Sequence, residues 1–121
     1  MTTPRERRDN FVVTKIRAIA ENKYTQIIVE NSSDVSGKNI KTGESFSIRK
    51  KSAETGHFYY DVTSDDNIHC EIFSNFNYKH GKGLRMLVDK LRQDAPAKNK
   101  KLMKYYDKPN VFTRMFGRNS R

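Results

Sequence analysis

The stretch "HFYYDVTSDDNIHCEIF" (residues 57–73) holds two alternating patterns on either side of a cluster of turn-forming residues. Successive side chains of a β-strand point to opposite faces, so each pattern gives a strand with one apolar face. Acidic and amide residues such as those between the two patterns are typical of a turn. The stretch therefore predicts an antiparallel pair of strands that buries one face. The residues predicted to face the core are Phe58, Tyr60, Val62, Ile68, Cys70 and Ile72.

The chain before this pair gives similar signals at intervals of about 8–12 residues. Residues 38–51 predict two short strands around the turn "TGE", and residues 24–30 predict a strand rich in β-branched side chains. Together with the pair at 57–73, these segments predict an α+β fold. Its main part is a small antiparallel β-meander, a barrel-like sheet of about five or six strands.

Residues 11–31 form the most apolar part of the chain and permit two interpretations. As a helix, the segment has one apolar face, which contains Val12, Ile16, Ile19 and Ala20. As a hairpin, it consists of the strands "FVVTKIRAIA" (11–20) and "KYTQIIVEN" (23–31) around a short turn. The β-branched content favours the hairpin, and we predict that structure.

Residues 82–95 change to a helical period, because four apolar residues with i, i+3, i+4 and i+7 spacing share one face. The residue before a proline avoids the α region, so we predict that this helix ends before Pro96. The predicted organisation is a flexible N-terminus (1–9), one β-rich domain that ends in the helix (10–96), and a basic segment containing aromatic residues (97–121). The four apolar residues are Leu84, Leu87, Val88 and Leu91.

The composition sets broad limits on class and location. No apolar run approaches the roughly 20 residues that a membrane-spanning helix needs. Residues 1–10 lack the apolar core of a secretory signal. The single cysteine, Cys70, cannot form an internal disulfide, which favours a reducing compartment. We therefore expect a cytoplasmic protein with no membrane partner.

The net charge of +10 is concentrated at one end of the chain. Residues 1–78 contain eleven basic and eleven acidic residues, whereas residues 79–121 contain thirteen basic and three acidic ones. A segmental excess of this kind is typical of a protein that binds nucleic acid or another polyanion. The alternative is that the basic segment serves only solubility.

Residues that could carry catalysis or hold a metal ion are sparse. His69 and Cys70 are neighbours in a predicted strand and point to opposite faces, so they cannot share one ion. We predict no metal and no cofactor. A small metal-free ribonuclease is a third interpretation, because His57, Tyr59 and His69 could share an outward face and supply acid and base groups.

Basic residues interleaved with aromatic residues are the strongest functional signal. Lysine and arginine neutralise phosphates and release counterions, and tyrosine can stack on unpaired bases. We predict a non-catalytic protein that binds the backbone or shape of DNA or RNA, such as a small phage-type accessory or regulatory factor. The alternative is a module that docks an acidic protein partner, such as a polymerase, nuclease or defence protein. The candidate nucleic-acid-binding residues are Arg49, Lys50, Lys51, Lys82, Lys98, Lys100, Lys101, Lys104, Tyr105, Tyr106, Lys108, Arg114 and Arg118.

Overall fold

A five-stranded antiparallel sheet and two helices make up the part of the chain that the computed structural model describes. That part comprises residues 2–65, 67–75 and 77–106, with only the backbone of the last residue. The strands follow one another in chain order across the sheet, so the predicted α+β meander is confirmed. The elements are α1 (Pro4–Ala20), β1 (Thr25–Val29), β2 (Val35–Asn39), β3 (Ser45–Ser52), β4 (Phe58–Ser64), β5 (His69–Phe73) and α2 (Lys79–Tyr106).

The sheet is open, because β1 and β5 are its two edges within the described residues. The predicted term barrel-like is therefore too loose for this sheet. One face of the sheet is covered by α1 and α2, and the core lies between the sheet and these helices. The alternation predicted for β4 and β5 is confirmed at Tyr60, Val62, Cys70 and Ile72, which are buried in this core. Ile68 is partly buried against the core, but the prediction is wrong for Phe58, which is 53% exposed where β4 begins.

The N-terminal helix α1 corrects two predictions, the flexible stretch at 1–9 and the first strand (11–20) of the hairpin at 11–31, whose second strand is present as β1. Thr3 caps the helix: its hydroxyl accepts a hydrogen bond from the Glu6 backbone N–H at 3.1 Å, and Pro4 occupies the first turn. The pattern Thr-x-x-Glu is a helix-start signal in the sequence itself. Burial of the apolar face outweighs the weak helix propensity of β-branched residues. That face contains Val12, Val13, Ile16, Ile19 and Ala20.

The C-terminal helix α2 also corrects a prediction, because it continues through Pro96 instead of ending before it. A proline inside a helix costs about 3 kcal/mol. Pro96 is exposed, and the buried stripe continues on both sides of it, at Ala95 and Leu102. Burial of Leu102 contributes about 1.5–3 kcal/mol, and Asn99 adds two hydrogen bonds to the sheet. Tertiary packing therefore offsets the cost of the proline.

Each edge strand is closed at one point by a side chain from a helix. On β1, the Asn99 amide accepts from the Ile27 N–H at 3.0 Å and donates to the Ile27 carbonyl at 2.8 Å. On β5, the Arg8 guanidinium donates to the Glu71 carbonyl at 3.2 Å. Gly81 of α2 packs so close to β5 that a Cβ atom there would overlap the Phe73 carbonyl. The two helices are thereby held along the sheet from one edge to the other.

Candidate nucleic-acid interface

Two grooves lie along the solvent side of the contact between α1 and α2. The helices run in the same direction, since Asn10 lies beside the start of α2 and Ala20 lies beside Lys98. The first groove has a volume of about 520 Å³, and the second, near the end of α2, has a volume of about 670 Å³. We call the two grooves together the basic seam. Its basic residues are Arg17, Lys79 and Lys82 in the first groove and Lys23, Lys90, Lys98, Lys101 and Lys104 in the second.

The charge balance of the basic seam is strongly positive. Eight basic side chains line the two grooves, against the two acidic side chains of Glu21 and Asp94. Helical spacing produces this concentration, because Lys79, Lys90 and Lys101 are three turns apart and so lie on one side of α2. The stretch from Lys79 to Lys104 spans roughly 38 Å at about 1.5 Å per residue. That length matches about eleven base pairs of duplex.

One predicted site residue, Lys98, is engaged inside the fold. Its ammonium donates to the Ala20 carbonyl at 2.6 Å, where α1 ends. Partial burial lowers the pKa of the Lys98 ammonium. A cation at this position is favourable because the last carbonyls of a helix lack partners and carry partial negative charge. Lys98 therefore joins α1 to α2. The exposed cations of this groove include Lys101 and Lys104, as well as Lys23 and Lys90, of which Lys90 pairs with Glu21 at 3.4 Å.

An aromatic pair lies at the end of the second groove. The rings of Tyr24 and Tyr105 meet edge to face with centroids 5.0 Å apart. The ammonium groups of Lys41 and Lys23 lie 4.1 and 5.1 Å from the Tyr24 ring centroid. Hydrogen bonding by Lys41 lowers the pKa of the Tyr24 hydroxyl. The sequence prediction included Tyr105 but missed the other three residues, although the adjacent pair Lys23–Tyr24 repeats the basic-aromatic pattern that it used.

The basic residues of β3 lie on the sheet, away from the basic seam. Arg49 pairs with Glu30 at 3.5 Å, and Lys51 pairs with Asp61 at 3.2 Å. Asp61 also contacts His69 Nε2 at 2.7 Å. Lys50 belongs to a different environment, because its ammonium lies 5.0 Å from the centroid of an aromatic ring at the end of the sheet. On the outward face of β3, Arg49 and Lys51 are thus each in contact with an opposite charge.

The remaining candidates divide into two groups. Lys82 lines the first groove of the basic seam, and Lys100 is exposed on α2. The sequence prediction did not include Arg17, Lys79 or Lys90, which belong to the same seam. The candidates outside the described residues are the side chain of Tyr106 and the residues Lys108, Arg114 and Arg118.

The histidines occupy three different surfaces. His57 lines a pocket at the end of the sheet, and His80 lines the first groove of the basic seam. His69 lies on the outward face of β5, opposite Thr63. Thr63 is four residues from Tyr59 along β4. The backbone position of His69, opposite Thr63, is therefore displaced by about 13 Å along the strands from that of Tyr59. Across the described ranges, no group of three or more histidine, cysteine or acidic residues is placed to hold a metal ion.

Cys70 belongs to a buried polar cluster and is not placed as a nucleophile. Asp9, which is 1% exposed, accepts from the Arg8 guanidinium at 2.9 Å, from the Tyr78 hydroxyl and from the Cys70 thiol at 3.6 Å. Burial raises the pKa of the thiol to about 11, so it stays protonated near neutral pH. The cluster ties α1 to β5 and to the residue before α2, which positions the first groove.

Comparison with protein-family models, curated proteins and solved structures finds no match for this chain. Of the helices in the described residues, neither has the length and apolar character that crossing a membrane would require.

Proposed function

We propose that the protein binds the phosphate backbone of DNA or RNA along the basic seam, without catalysis. The observation that supports this proposal is the excess of eight basic over two acidic side chains in the two grooves. Each lysine that neutralises a phosphate releases counterions, so binding would weaken as the salt concentration rises. The single buried cysteine supports a reducing, cytoplasmic compartment as part of the same proposal.

The proposed contacts are to the backbone and not to base edges. The lysines that point from the seam are compact cations on flexible stems, which suit phosphates better than the donor and acceptor pattern of a base pair. Their spread over about 38 Å of α2 suits a polymer of phosphates better than a single small anion. We therefore expect affinity for many sequences with little discrimination among them.

The test is a salt titration of binding to a labelled oligonucleotide with three variants of equal charge change in the full chain. The seam variant is Lys79/Lys101/Lys104→Gln, and none of these lysines takes part in an ion pair within the described residues. We expect about 100-fold weaker binding at about 0.15 M salt, and a slope of log K against log salt that falls by about three.

Two matched variants test whether binding depends on the lysines of the seam or only on the net charge of the protein. Lys38/Arg49/Lys51→Gln removes the same charge from the outward face of the sheet, and Lys108/Arg114/Arg118→Gln removes it beyond the described residues. Equal losses in the seam and sheet variants would refute the seam as the binding surface. A loss confined to the third variant would move the proposed contacts to the C-terminal segment.

A second candidate function is docking of an acidic protein partner in the same seam. Met86 favours it, because this side chain is 63% exposed in the first groove beside Arg17 and Lys82. Exposed methionine is frequent at protein-binding surfaces that adapt to a partner. Capture of a partner that survives nuclease treatment and is lost with Met86→Gln would support this function over nucleic-acid binding.

A further inference from the structure

A pocket with aromatic walls lies at the end of the sheet where β3 and β5 end and β4 begins. Its volume is about 620 Å³, which is within the usual range for sites that bind small ligand groups. Phe58 forms one wall although it is 53% exposed, and Tyr78 forms a second wall. Phe73 also lines the pocket, but its side chain shares the outward face of Tyr59, its partner in the sheet register. A large aromatic side chain that stays exposed at a pocket is a departure from the usual burial of such residues. We call this site the aromatic pocket.

Cations accompany both exposed rings. The Lys50 ammonium lies 5.0 Å from the centroid of the Phe58 ring inside the pocket. The Arg5 guanidinium carbon lies 5.0 Å from the centroid of Phe73, in a neighbouring pocket that Glu71 also lines. Among the described residues that line the pocket, none is acidic. Positive groups beside exposed aromatic faces are complementary to a group that is both aromatic and linked to phosphate. A nucleotide has that combination, because its base can stack while its phosphate pairs with the cation.

Polar groups and a rigid wall complete the aromatic pocket. Ser74 and Asn75 line it directly after β5 and offer hydrogen-bond donors and acceptors to the edge of a base. The Tyr78 hydroxyl is bonded to the buried Asp9 carboxylate, which holds this ring in place. A wall that is ordered before binding loses little entropy when a ligand arrives.

The aromatic pocket and the basic seam meet at the start of α2. Tyr78 lines the pocket, and the next residue, Lys79, lines the first groove of the seam. A strand that leaves the first groove would therefore reach the pocket within a short distance. In a duplex the bases are paired and stacked within the helix and cannot enter, whereas an unpaired base can turn outward.

We propose that the aromatic pocket binds an unpaired nucleobase of a strand whose backbone lies in the basic seam. This inference rests on the proposed function and adds a substrate class: the protein prefers single-stranded nucleic acid, or a strand with an unpaired end, over a continuous duplex. The base stacks against Phe58 beside the Tyr78 wall, and Lys50 contacts a flanking phosphate.

The experiment compares the affinities of the full chain for an oligothymidylate and for a duplex of the same length. For Phe58→Ala we expect about 10-fold weaker binding of the single strand and unchanged binding of the duplex. Phe58→Tyr keeps the stacking surface and should retain the wild-type preference. Phe11→Ala is the matched control, because Phe11 is 61% exposed on α1 and does not line the aromatic pocket. Thermal melting of each variant confirms that it is folded.

The outcomes separate this inference from the function on which it rests. If the seam variant loses binding while Phe58→Ala keeps the full preference for the single strand, the inference is wrong and the proposed function stands. Equal affinity of the wild-type chain for single strand and duplex also overturns the inference alone. If the wild-type chain binds neither nucleic acid, both fail.

Discussion

The outward face of the sheet and the basic seam both display cations at the surface, but their electrostatic surroundings differ. On the sheet, Arg49 and Lys51 each contact a carboxylate of a neighbouring strand or loop. In the seam, Lys79, Lys101 and Lys104 project from one side of a helix whose neighbour supplies few acids. Cross-strand pairing brings opposite charges together every second residue, whereas helical spacing can gather like charges on one stripe. The number of basic residues alone therefore does not identify a binding surface.

The largest expected difference comes from reversing charge in each region. Lys101/Lys104→Glu should weaken oligonucleotide binding by about 100-fold or more, because two phosphate contacts become repulsive. Arg49/Lys51→Glu makes the same charge change but should alter binding by only about 3-fold. The sheet variant should instead lose about 1 kcal/mol of unfolding free energy, because the new carboxylates face Glu30 and Asp61. Binding isotherms and urea unfolding measure the two effects, and a sheet variant that loses the most affinity would reverse the comparison.

The second prediction concerns the residue that holds the seam onto the sheet. Asn99→Ala removes both hydrogen bonds to Ile27 and leaves a partly buried N–H and C=O without these partners. We expect a loss of about 2 kcal/mol of unfolding free energy, measured by urea titration. Gln93→Ala is the control, since it removes an exposed amide from the same helix and should cost less than about 0.5 kcal/mol. Equal stability of the two variants would mean that the hydrogen bonds between Asn99 and Ile27 contribute nothing to the free energy of unfolding.

The third prediction distinguishes two lysines of the same groove. Lys98→Gln should lower the unfolding free energy by about 1 kcal/mol, because it loses the charged hydrogen bond to Ala20. Its effect on the salt dependence of binding should be small. Lys101→Gln should leave stability unchanged and lower the slope of log K against log salt by about one. If the two variants exchange these properties, the assignment of one structural and one exposed lysine is wrong.

The smallest expected effect tests whether ion pairing keeps the outward face of the sheet from binding nucleic acid. Asp61→Asn removes the carboxylate that contacts Lys51 and His69, so this face gains an uncompensated cation. We expect about 3-fold tighter binding to an oligonucleotide at low salt. Glu71→Gln makes the same charge change next to Asp61 in the sheet register and should have less effect. Unchanged affinity for Asp61→Asn would show that the position of this face, and not pairing, keeps it from binding.

The fold was predictable where one local pattern admits one structure. The alternation in β4 and β5 requires strands, and both were found at nearly the expected positions. At residues 11–20 the apolar residues fit both a helical and a strand period. Packing against the sheet decides between helix and strand, and the local sequence carries no information about that packing. At Pro96 the local rule predicts an end, but the hydrogen bonds of Asn99 to Ile27 and the burial of Leu102 extend the helix.

The candidate site was predictable only in part for the same reason. Lys101 and Lys104 stand out in the sequence because they belong to a basic segment. Arg17 and Lys41 lie in regions of balanced charge, and they join the site only because α1 lies parallel to α2 and β2 ends near Tyr24. The role of Lys98 as a link between helices also depends on the position of Ala20. Such groupings arise from tertiary structure.

The closure of both edge strands has a consequence for self-association. An open antiparallel sheet exposes a row of backbone donors and acceptors that can template growth by adding strands from other copies. In this molecule Asn99 interrupts that row on β1, and Arg8 together with the close approach of Gly81 interrupts it on β5. Loss of either contact would leave an edge competent for strand addition. We therefore expect fibril formation at high concentration to depend on these few helix residues rather than on the composition of the strands.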